Sequence, residues 1–317
     1  MAVVRTVAGP LDTAKLGFTL IHEHLRVRSE AVAEQWPHLY DAADERERAI
    51  AQVREAQHYG VATIADPTVM GAGRDVRLMQ AVVAATGIQL IAATGLYTYN
   101  EIPAYFANRP IDALADAFIH DIERGIQGTD VRAAFLKCAT DEPGMTRGVE
   151  HVLRAVARAH RRTGVPIMTH SHPASGTGLL QQDVLASEGV DLARVLIGHS
   201  GDTTDLDYLE RLIARGSFIG MDRYGLERIL PTDQRNATVV ALSTRGHAEH
   251  LMLAQDACAT LDWYPPEAMR RAAPNWTMAL VPRDVIPALL AAGVTPAQIA
   301  TMTVANPRRY FERQGAY

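Results

Sequence analysis

The amino-acid sequence predicts a single (β/α)8 barrel domain, a TIM barrel, that extends over residues 1–317. Short apolar runs alternate with longer segments of helical periodicity from one end of the chain to the other. Such runs between helices are typical of parallel strands covered by helices. They recur about every 33 residues, the length of one strand–helix unit, and eight units favour a closed barrel over an open sheet. The runs start near Phe18, Val61, Ile88, Ala134, Pro166, Arg194, Ser217 and His250.

The segments between the runs carry signals for helix ends and for one long loop. Amphipathic stretches at 148–164 and 206–216 both finish in glycine, a frequent helix terminator. Thr295 to Gln298 predicts a capping box with proline at the first helical position, and so the start of a final helix. The connection at about 257–282 follows the eighth run and carries two tryptophans and four prolines. Its length is typical of loops that shape a substrate site.

Charge and cysteine content exclude several classes of partner. The 31 basic and 36 acidic residues give a formal net charge of −5 and are spread without blocks, which argues against nucleic-acid or anionic-membrane partners. Two cysteines cannot form a disulfide framework. The first ten residues lack the features of a signal peptide, and no apolar run is long enough to span a membrane. We therefore expect a cytoplasmic protein without nucleic-acid or membrane partners.

Residues able to bind metal ions fall near the predicted carboxyl ends of five strands. His22 and His24 stand two apart on strand 1, so their side chains point the same way. Lys137 lies within strand 4, in a run otherwise free of charge. The remaining candidates end strands 5, 6 and 8 and are His170, His199 and Asp256. Barrel enzymes carry their chemistry on this face, and imidazole and carboxylate ligands suit zinc, iron, cobalt or manganese.

Lys137 needs a chemical explanation if it stands among metal ligands. An ammonium group about 4 Å from a divalent cation would be repelled by roughly 8 kcal/mol at an effective dielectric constant of about 20. The neutral amine avoids this repulsion and can react with CO2 to give a carbamate that bridges two metal ions. With Asp256 and a bridging hydroxide, the site would keep a net charge of about +1, suited to polarising a substrate oxygen.

Each of these residues also has a plain structural interpretation. A His-x-His pair often only caps a polar network, a carboxylate at a strand end is commonly a loop residue, and a lone lysine can snorkel. His170 and His172 form a second such pair, and spacing alone leaves open which of them is the ligand. Six candidates at equivalent ends of five strands favour the metal site.

Longer motifs give the chain a resemblance to a known family. In order, TLIHEH, FLKCATDEPGMT, THSHPASGTGLLQQDVLASEGVD, VLIGHSGDTTDLDYLERL, SFIGMDRYGLE, LAQDA and finally NPRRYFERQG resemble the phosphotriesterase family of the amidohydrolase superfamily. GLYTY at 95–99, GMDRYGL at 220–226 and the Asp-Trp pair at 262–263 resemble the phosphotriesterase-like lactonases within that family. The resemblance covers nearly the whole chain.

The resemblance implies a barrel, usually a homodimer, with two divalent metal ions: zinc, or else iron, cobalt or manganese. It implies His170 rather than His172 as the ligand, and a carboxylated Lys137. Relatives often have Ser-His where this chain has Ala254-Gln255, a change that leaves Asp256 in place. The complete implied ligand set is His22, His24, Lys137, His170, His199 and Asp256.

The expected reaction is attack of a metal-bridging hydroxide on an ester-like centre, with Asp256 accepting the proton. Asp202 and Arg223 could relay that proton or hold the geometry, and a surface ion pair is the alternative interpretation. Tyr97 could place its hydroxyl near the metal ions and assist the leaving alkoxide. Otherwise it is a packed aromatic residue with a solvated tip.

Four further residues are candidates for an apolar substrate wall: Tyr99, Leu226, Cys258 and Trp263. Such a wall suits an acyl chain or aliphatic lactone, although Trp263 could instead anchor its loop or a dimer interface. Cys258 has no evident base and is expected to be a wall residue, not a nucleophile. The resemblance implies N-acyl-homoserine lactones and other γ- or δ-lactones as substrates, with weaker organophosphate triesterase activity. The alternatives are a dedicated triesterase and a non-catalytic binding protein on a decayed barrel.

Overall fold

Eight parallel strands surround the centre of this computed structural model, which describes residues 2–312 and 315–317. Each barrel strand pairs in parallel with its neighbours in chain order, so the predicted (β/α)8 barrel is confirmed. A separate antiparallel hairpin, β1 with β2, precedes the barrel. The strands are β1 (Val3–Thr6), β2 (Gly9–Asp12), β3 (Thr19–Leu20), β4 (Thr63–Asp66), β5 (Gln89–Gly95), β6 (Phe135–Ala139), β7 (Ile167–His170), β8 (Val195–Gly198), β9 (Phe218–Met221) and β10 (Leu251–Leu253).

Helices follow the barrel strands and cover the outside of the barrel. They are α1 (Glu30–Gln35), α2 (Ala42–His58), α3 (Val76–Thr86), α4 (Ala104–Ala107), α5 (Ile111–Glu123), α6 (Arg147–Thr163), α7 (Thr177–Ser187), α8 (Leu206–Ala214), α9 (Thr232–Thr244), α10 (Pro266–Ala272), α11 (Ile286–Ala291), α12 (Pro296–Ala300) and α13 (Asn306–Glu312). The helices predicted at 148–164 and 206–216 are α6 and α8, and the predicted capping box opens α12. In the described part of the chain, no helix has the length and apolar character needed to cross a membrane. Arg313 and Gln314 of the last sequence motif, like Met1, lie outside the described residues.

The barrel closes through the segments that follow β3 and β10. Both strands end before His22, His24 and Asp256. The prediction that His22 and Asp256 lie on or at the end of strands was therefore wrong, whereas His24 forms an isolated parallel bridge with Cys258 beyond β3. Backbone hydrogen bonds still join the two segments, from the Asp256 amide to the His22 oxygen at 3.0 Å and from the His24 amide to the Ala257 oxygen at 2.9 Å. Side chains on a regular strand stand perpendicular to the sheet. Beyond the strands, the two imidazoles and the carboxylate can instead turn towards one another over the mouth.

Two candidate ligands have a left-handed backbone. His199, predicted to end a strand, directly follows β8 with φ of 62°, and Asp256 has φ of 55°. This conformation is uncommon for residues with a Cβ atom, and it concentrates where a site requires it. Lys137 and His170 remain on strands, within β6 and at the end of β7, as predicted.

The N-terminal end of the barrel is sealed, which leaves the C-terminal mouth for chemistry. The hairpin of β1 and β2 packs at the sealed end, where the Val7 amide donates to the Leu90 oxygen at 2.8 Å. This hairpin was not predicted from the sequence, because it precedes the first predicted strand, near Phe18. The buried residues inside the barrel include Phe135, Met168, Leu196, Phe218 and Phe311.

The long connection after β10 contains α10 and is tethered across the C-terminal mouth. Asp262 accepts hydrogen bonds from the Ser29 amide and the Tyr40 hydroxyl, both at 2.8 Å. Shortly after α10, Trp276 donates from Nε1 to the Gln255 oxygen at 2.8 Å. The side chain of Gln255 also donates to the loop backbone. The Gln255 side chain therefore holds the loop, while Asp256, the next residue, faces the mouth.

A buried histidine in front of β7 should make stability depend on pH. In α6, His160 lies with Nδ1 2.7 Å from the Val165 oxygen and Nε2 2.6 Å from the Tyr317 hydroxyl, and burial lowers its pKa to about 4. The unfolded chain has the ordinary histidine pKa of about 6.5. The neutral ring therefore contributes its full stability above about pH 6.5, and this contribution is lost as the pH falls towards 4. We expect His160 alone to contribute a loss of about 2 kcal/mol in the free energy of unfolding between about pH 7.5 and pH 5.

Urea unfolding of metal-free protein across this pH range checks the expectation. His160→Gln removes the titrating ring and should show a shallower pH dependence than the parent chain. His38→Gln changes an exposed histidine and should keep the parent dependence. Equal slopes for the parent chain and His160→Gln would contradict the assignment.

Candidate metal centre

Three imidazoles converge on one carboxylate at the C-terminal mouth. Asp256 Oδ1 lies 3.1 Å from His24 Nε2 and 3.3 Å from His22 Nε2, and its Oδ2 lies 3.8 Å from His199 Nε2. The Nζ atom of Lys137 is 3.2 Å from His22 Nε2. One potential ligand atom each from His22, His199 and Asp256 lies within 4.8 Å of the others. Donor atoms from β6 and from the segments that follow β3, β8 and β10 thus meet in a space that a metal ion could fill.

His170 joins this cluster, whereas His172 does not contact it. The His170 ring packs edge-on against His199 with centroids 4.4 Å apart, and its Nδ1 lies 3.2 Å from the Tyr97 hydroxyl. His172 instead contacts Ser175, through Nδ1 at 2.8 Å. The structure therefore places the first histidine of the pair in the cluster, and all six predicted ligands line one cavity.

Asp222, which the sequence analysis missed, orients two of the imidazoles. Its carboxylate is fully buried and lies 2.8 Å from His22 Nδ1 and 3.1 Å from His199 Nδ1. A Cβ atom at Gly220 would lie 2.3 Å from Asp222 Oδ2, so glycine is needed there. Because the carboxylate accepts from both Nδ1 atoms, the Nε2 lone pairs face the cluster.

A second polar pair, at the carboxyl end of β4, orients His24. Its Nδ1 donates to the Thr68 hydroxyl at 2.7 Å, and that hydroxyl donates to Asp66 at 2.5 Å. The hydrogen bond to Thr68 orients the His24 ring as Asp222 orients the rings of His22 and His199, with Nδ1 held and Nε2 directed at Asp256. Three of the four imidazoles therefore present the same ring atom to the cluster.

The protonation states of these side chains suit metal binding. Burial lowers the pKa of His170 to about 4 and that of Lys137 to about 8, and it also lowers the pKa of His22 and His199. Burial alone would raise the pKa of Asp256, but the neighbouring His199 and His22 hold it well below its ordinary value. Neutral imidazoles and an ionised carboxylate are the forms that metal ions require. This donor set fits zinc, iron, cobalt or manganese.

Arg223 and Asp202 form an ion pair inside the site. Arg223 donates from Nε to Asp256 at 3.1 Å and from Nη1 to Asp202 at 3.0 Å. The other Asp202 oxygen accepts from Arg235 at 2.7 Å, and this second arginine is almost completely buried in α9. The alternative of a surface pair is wrong, since the Asp202 side chain is only 6% exposed. These contacts hold Asp256 through its Oδ2 atom, while His22 and His24 approach Oδ1.

Glu23, between the two histidines of the first motif, clamps the backbone around Asp256. It is fully buried, and its oxygens accept from the Gln255 and Ala257 amides, both at 2.8 Å. These amides flank the residue with the left-handed backbone. The position of this glutamate between two candidate metal ligands was the only hint in the sequence that it serves the site. The sequence did not reveal which backbone amides its carboxylate contacts.

Replacing Glu23 with glutamine should destabilise the protein by about 1–3 kcal/mol, because the glutamine amide group cannot accept the second backbone N–H. The expected shift appears in urea unfolding of the metal-free protein. Glu34→Gln, at an exposed position of α1, is the matched control and should be neutral. Equal stability of the two variants would rule out the clamp.

A cavity of about 640 Å3 lies directly over the cluster, and all four predicted wall residues line it. The hydroxyls of Tyr97 and Tyr99 are hydrogen-bonded, and the Trp263 ring centroid lies 5.7 Å from that of Tyr97. Burial and the nearby Asp256 hold the pKa of Cys258 well above its ordinary value. Its thiol therefore stays protonated and is a poor nucleophile. Other apolar lining residues include Val27, Leu261, Met269 and Trp276.

Comparison with known proteins identifies the family. The sequence profile of the phosphotriesterase family matches residues 2–311. An aryldialkylphosphatase of Saccharolobus solfataricus is 51% identical over 303 residues, which cover 95% of this chain and 96% of that protein. A phosphotriesterase homology protein of Mycobacterium tuberculosis is 49% identical over the full length of both chains. The solved structure of the phosphotriesterase from Mycobacterium tuberculosis superposes with a TM-score of 0.97 at 49% identity, covering 99% of this chain and 100% of that one. With this fold and this match over nearly all its length, the chain belongs to the phosphotriesterase family of hydrolases.

Proposed function

We propose that this hydrolase opens the rings of lactones, in particular N-acyl-homoserine lactones and other γ- or δ-lactones. Organophosphate triesters would be slower substrates. The observation that supports this best is the apolar cavity of about 640 Å3 directly over the imidazole and carboxylate cluster. Such a wall accommodates an aliphatic chain, while the polar cluster below it meets the ester group.

The proposed cofactor is a pair of divalent ions, with zinc the first choice and iron, cobalt or manganese as alternatives. Their proposed ligands are the six cluster residues, His22, His24, Lys137, His170, His199 and Asp256. When bound, the ions would activate a water molecule at neutral pH and polarise the substrate oxygen. We also propose that the Lys137 amine adds to CO2 with loss of one proton. This forms a carbamate whose negative charge replaces an ammonium that the ions would repel.

The protein's own side chains have distinct roles in this proposal. Asp256 is ionised and takes the proton of the attacking water. Arg223 cannot relay that proton, because a guanidinium with two carboxylate partners stays protonated. We therefore assign Arg223, together with Asp202, to holding Asp256 in position. Burial keeps the pKa of Tyr97 well above its ordinary value, so its hydroxyl remains a donor for the leaving alkoxide.

The long connection after β10 is proposed to shape the substrate wall. It contributes Cys258 and Trp263, while Tyr99 and Leu226 come from other loops of the mouth. The hydrogen bonds that Asp262 accepts from the Ser29 amide and the Tyr40 hydroxyl anchor this loop without Trp263. The Trp263 ring is therefore available to contact substrate.

A dedicated organophosphate triesterase is the second candidate, and the names of the similar proteins favour it. A planar carbonyl and a tetrahedral phosphoryl group can both react at one site, because attack on either builds negative charge on the oxygen held by the cations. A non-catalytic binding protein is disfavoured by the complete set of ligands at the mouth.

The test compares ring opening of a C4-to-C12 acyl-homoserine lactone series with paraoxon hydrolysis, using metal-reconstituted and chelator-stripped protein. Proton release in weak buffer reports lactone opening. Metal-dependent lactone turnover above that on paraoxon supports the proposal. Metal-dependent paraoxon hydrolysis without lactone turnover would transfer the function to the triesterase, and inactivity on both with metals bound would refute each.

A further inference from the structure

One imidazole of the cluster is oriented in the opposite sense to the other three. His22, His24 and His199 each give Nδ1 to an oxygen acceptor and direct Nε2 at the cluster. In His170 it is Nε2 that contacts an acceptor, Asp141 Oδ2 at 2.5 Å. Its Nδ1 is the ring atom that remains for the site, 3.2 Å from the Tyr97 hydroxyl.

The position of Asp141 follows from the register of two barrel strands. Ala139 at the end of β6 pairs with His170 at the end of β7. Two residues further on, the chain turns, and the Gly144 amide donates to the Asp141 backbone oxygen at 2.8 Å. The other carboxylate oxygen of Asp141 accepts from the Glu142 amide at 2.6 Å. Both oxygens are thus engaged, and the carboxylate is fixed against the ring.

We propose that Asp141 is a positioning residue that selects the tautomer of His170. A carboxylate only accepts hydrogen bonds, so its partner Nε2 must carry the proton, and the lone pair then lies on Nδ1. His170 would therefore offer Nδ1 to a metal ion, whereas the other three histidines would offer Nε2. The effect on metal binding rests on the proposed function, which includes the metal centre. The tautomer of His170 is set by Asp141 without any metal ion.

The contact between Asp141 and His170 is better shielded from solvent than a surface ion pair is. The His170 side chain is 1% exposed and that of Asp141 is 22% exposed, so solvent does not compete freely for Nε2. Groups that hold the second nitrogen of a metal-binding histidine typically change metal affinity or activity by about 10–100-fold when removed. Among the residues that the structure describes, Asp141 is not one of those that line the cavity. It would therefore act on catalysis only through His170.

Asp141→Asn provides the test, because an asparagine can turn either its oxygen or its amide group towards Nε2 and no longer enforces one tautomer. Glu142→Gln is the matched control. It removes the same charge from the next residue, whose side chain is exposed. Two quantities are measured in each protein. The first is the NMR chemical shifts of the ring nitrogens in metal-free, 15N-histidine-labelled protein, with the His170 signals assigned by their loss in His170→Asn. The second is the zinc affinity, measured by chelator competition.

We expect the parent chain and Glu142→Gln to show a single His170 tautomer with the proton on Nε2. In Asp141→Asn that preference should be lost, and zinc affinity should fall by about 10–100-fold. An unchanged tautomer together with parent affinity in Asp141→Asn would overturn the proposal. If that variant does not fold, Asp141→Ala is measured in the same way. Failure of the parent chain to bind metal would remove the proposed function, but the tautomer readout would still decide the role of Asp141.

Discussion

Turnover should fall by about 10²–10⁴-fold when Asp256 is replaced with asparagine, the range expected for loss of a positioned proton acceptor. The amide keeps the size of the carboxylate, so the barrel should stay folded. It cannot take the proton of the attacking water, and it weakens the contact with Arg223 at 3.1 Å. Steady-state kinetics on a lactone, with circular dichroism of the same samples, measures both effects.

The matched control for this variant is Asp207→Asn, which changes an exposed carboxylate on α8 and should leave turnover unaltered. Bound metal must also be quantified, since Asp256 is both a ligand and a proton acceptor in the proposal. Near-normal turnover in Asp256→Asn would remove the residue from the mechanism. A fall in turnover that added metal fully restores would leave it only a ligand.

Loss of the Lys137 amine is expected to have the second large effect. The chain contains only two lysines, Lys15 and Lys137, and the second is 1% exposed, with Nζ 3.2 Å from His22 Nε2. Lys137→Met keeps the length of the side chain but cannot form a carbamate. We expect bound metal to drop and turnover to fall by at least about a hundredfold, since even indirect partners of metal ligands change activity by about 10–100-fold.

The small number of lysines makes the chemical test of this site unusually direct. After incubation with 13C-bicarbonate and zinc, the parent chain should give one protein-bound carbamate signal by 13C NMR. Lys15→Met, at an exposed position, should keep that signal, and Lys137→Met should lose it. Full metal content and turnover in Lys137→Met would contradict a role for the amine in the centre.

Local patterns in the sequence were sufficient for the barrel architecture. For the candidate ligands that meet at the mouth, they left His170 and His172 as alternatives, and the family resemblance selected His170. The repeat of apolar runs identified the eight strands, and strand position correctly located Lys137 and His170. Strand position was less accurate for His22, His24 and Asp256, because the regular strands β3 and β10 end before these residues. A rule for regular strands cannot foresee where a barrel closes through less regular segments.

The residues that sequence reasoning missed act through contacts between distant parts of the chain. Asp222 meets His22 across 200 positions, and Glu23 meets the backbone at Gln255 across 232. No local pattern encodes such pairs, and a buried carboxylate resembles any loop acid until its partners are known. Asp141 was missed for the same reason, since its contact with His170 depends on the register between β6 and β7.

The most direct test of the central claim is a zinc titration of metal-free protein, with bound metal per chain and acyl-homoserine lactone ring opening measured on the same samples. A metal centre made by the six cluster residues predicts negligible turnover without metal and full turnover when two ions are bound per chain. Full lactone turnover in protein shown to be free of metal would contradict the account.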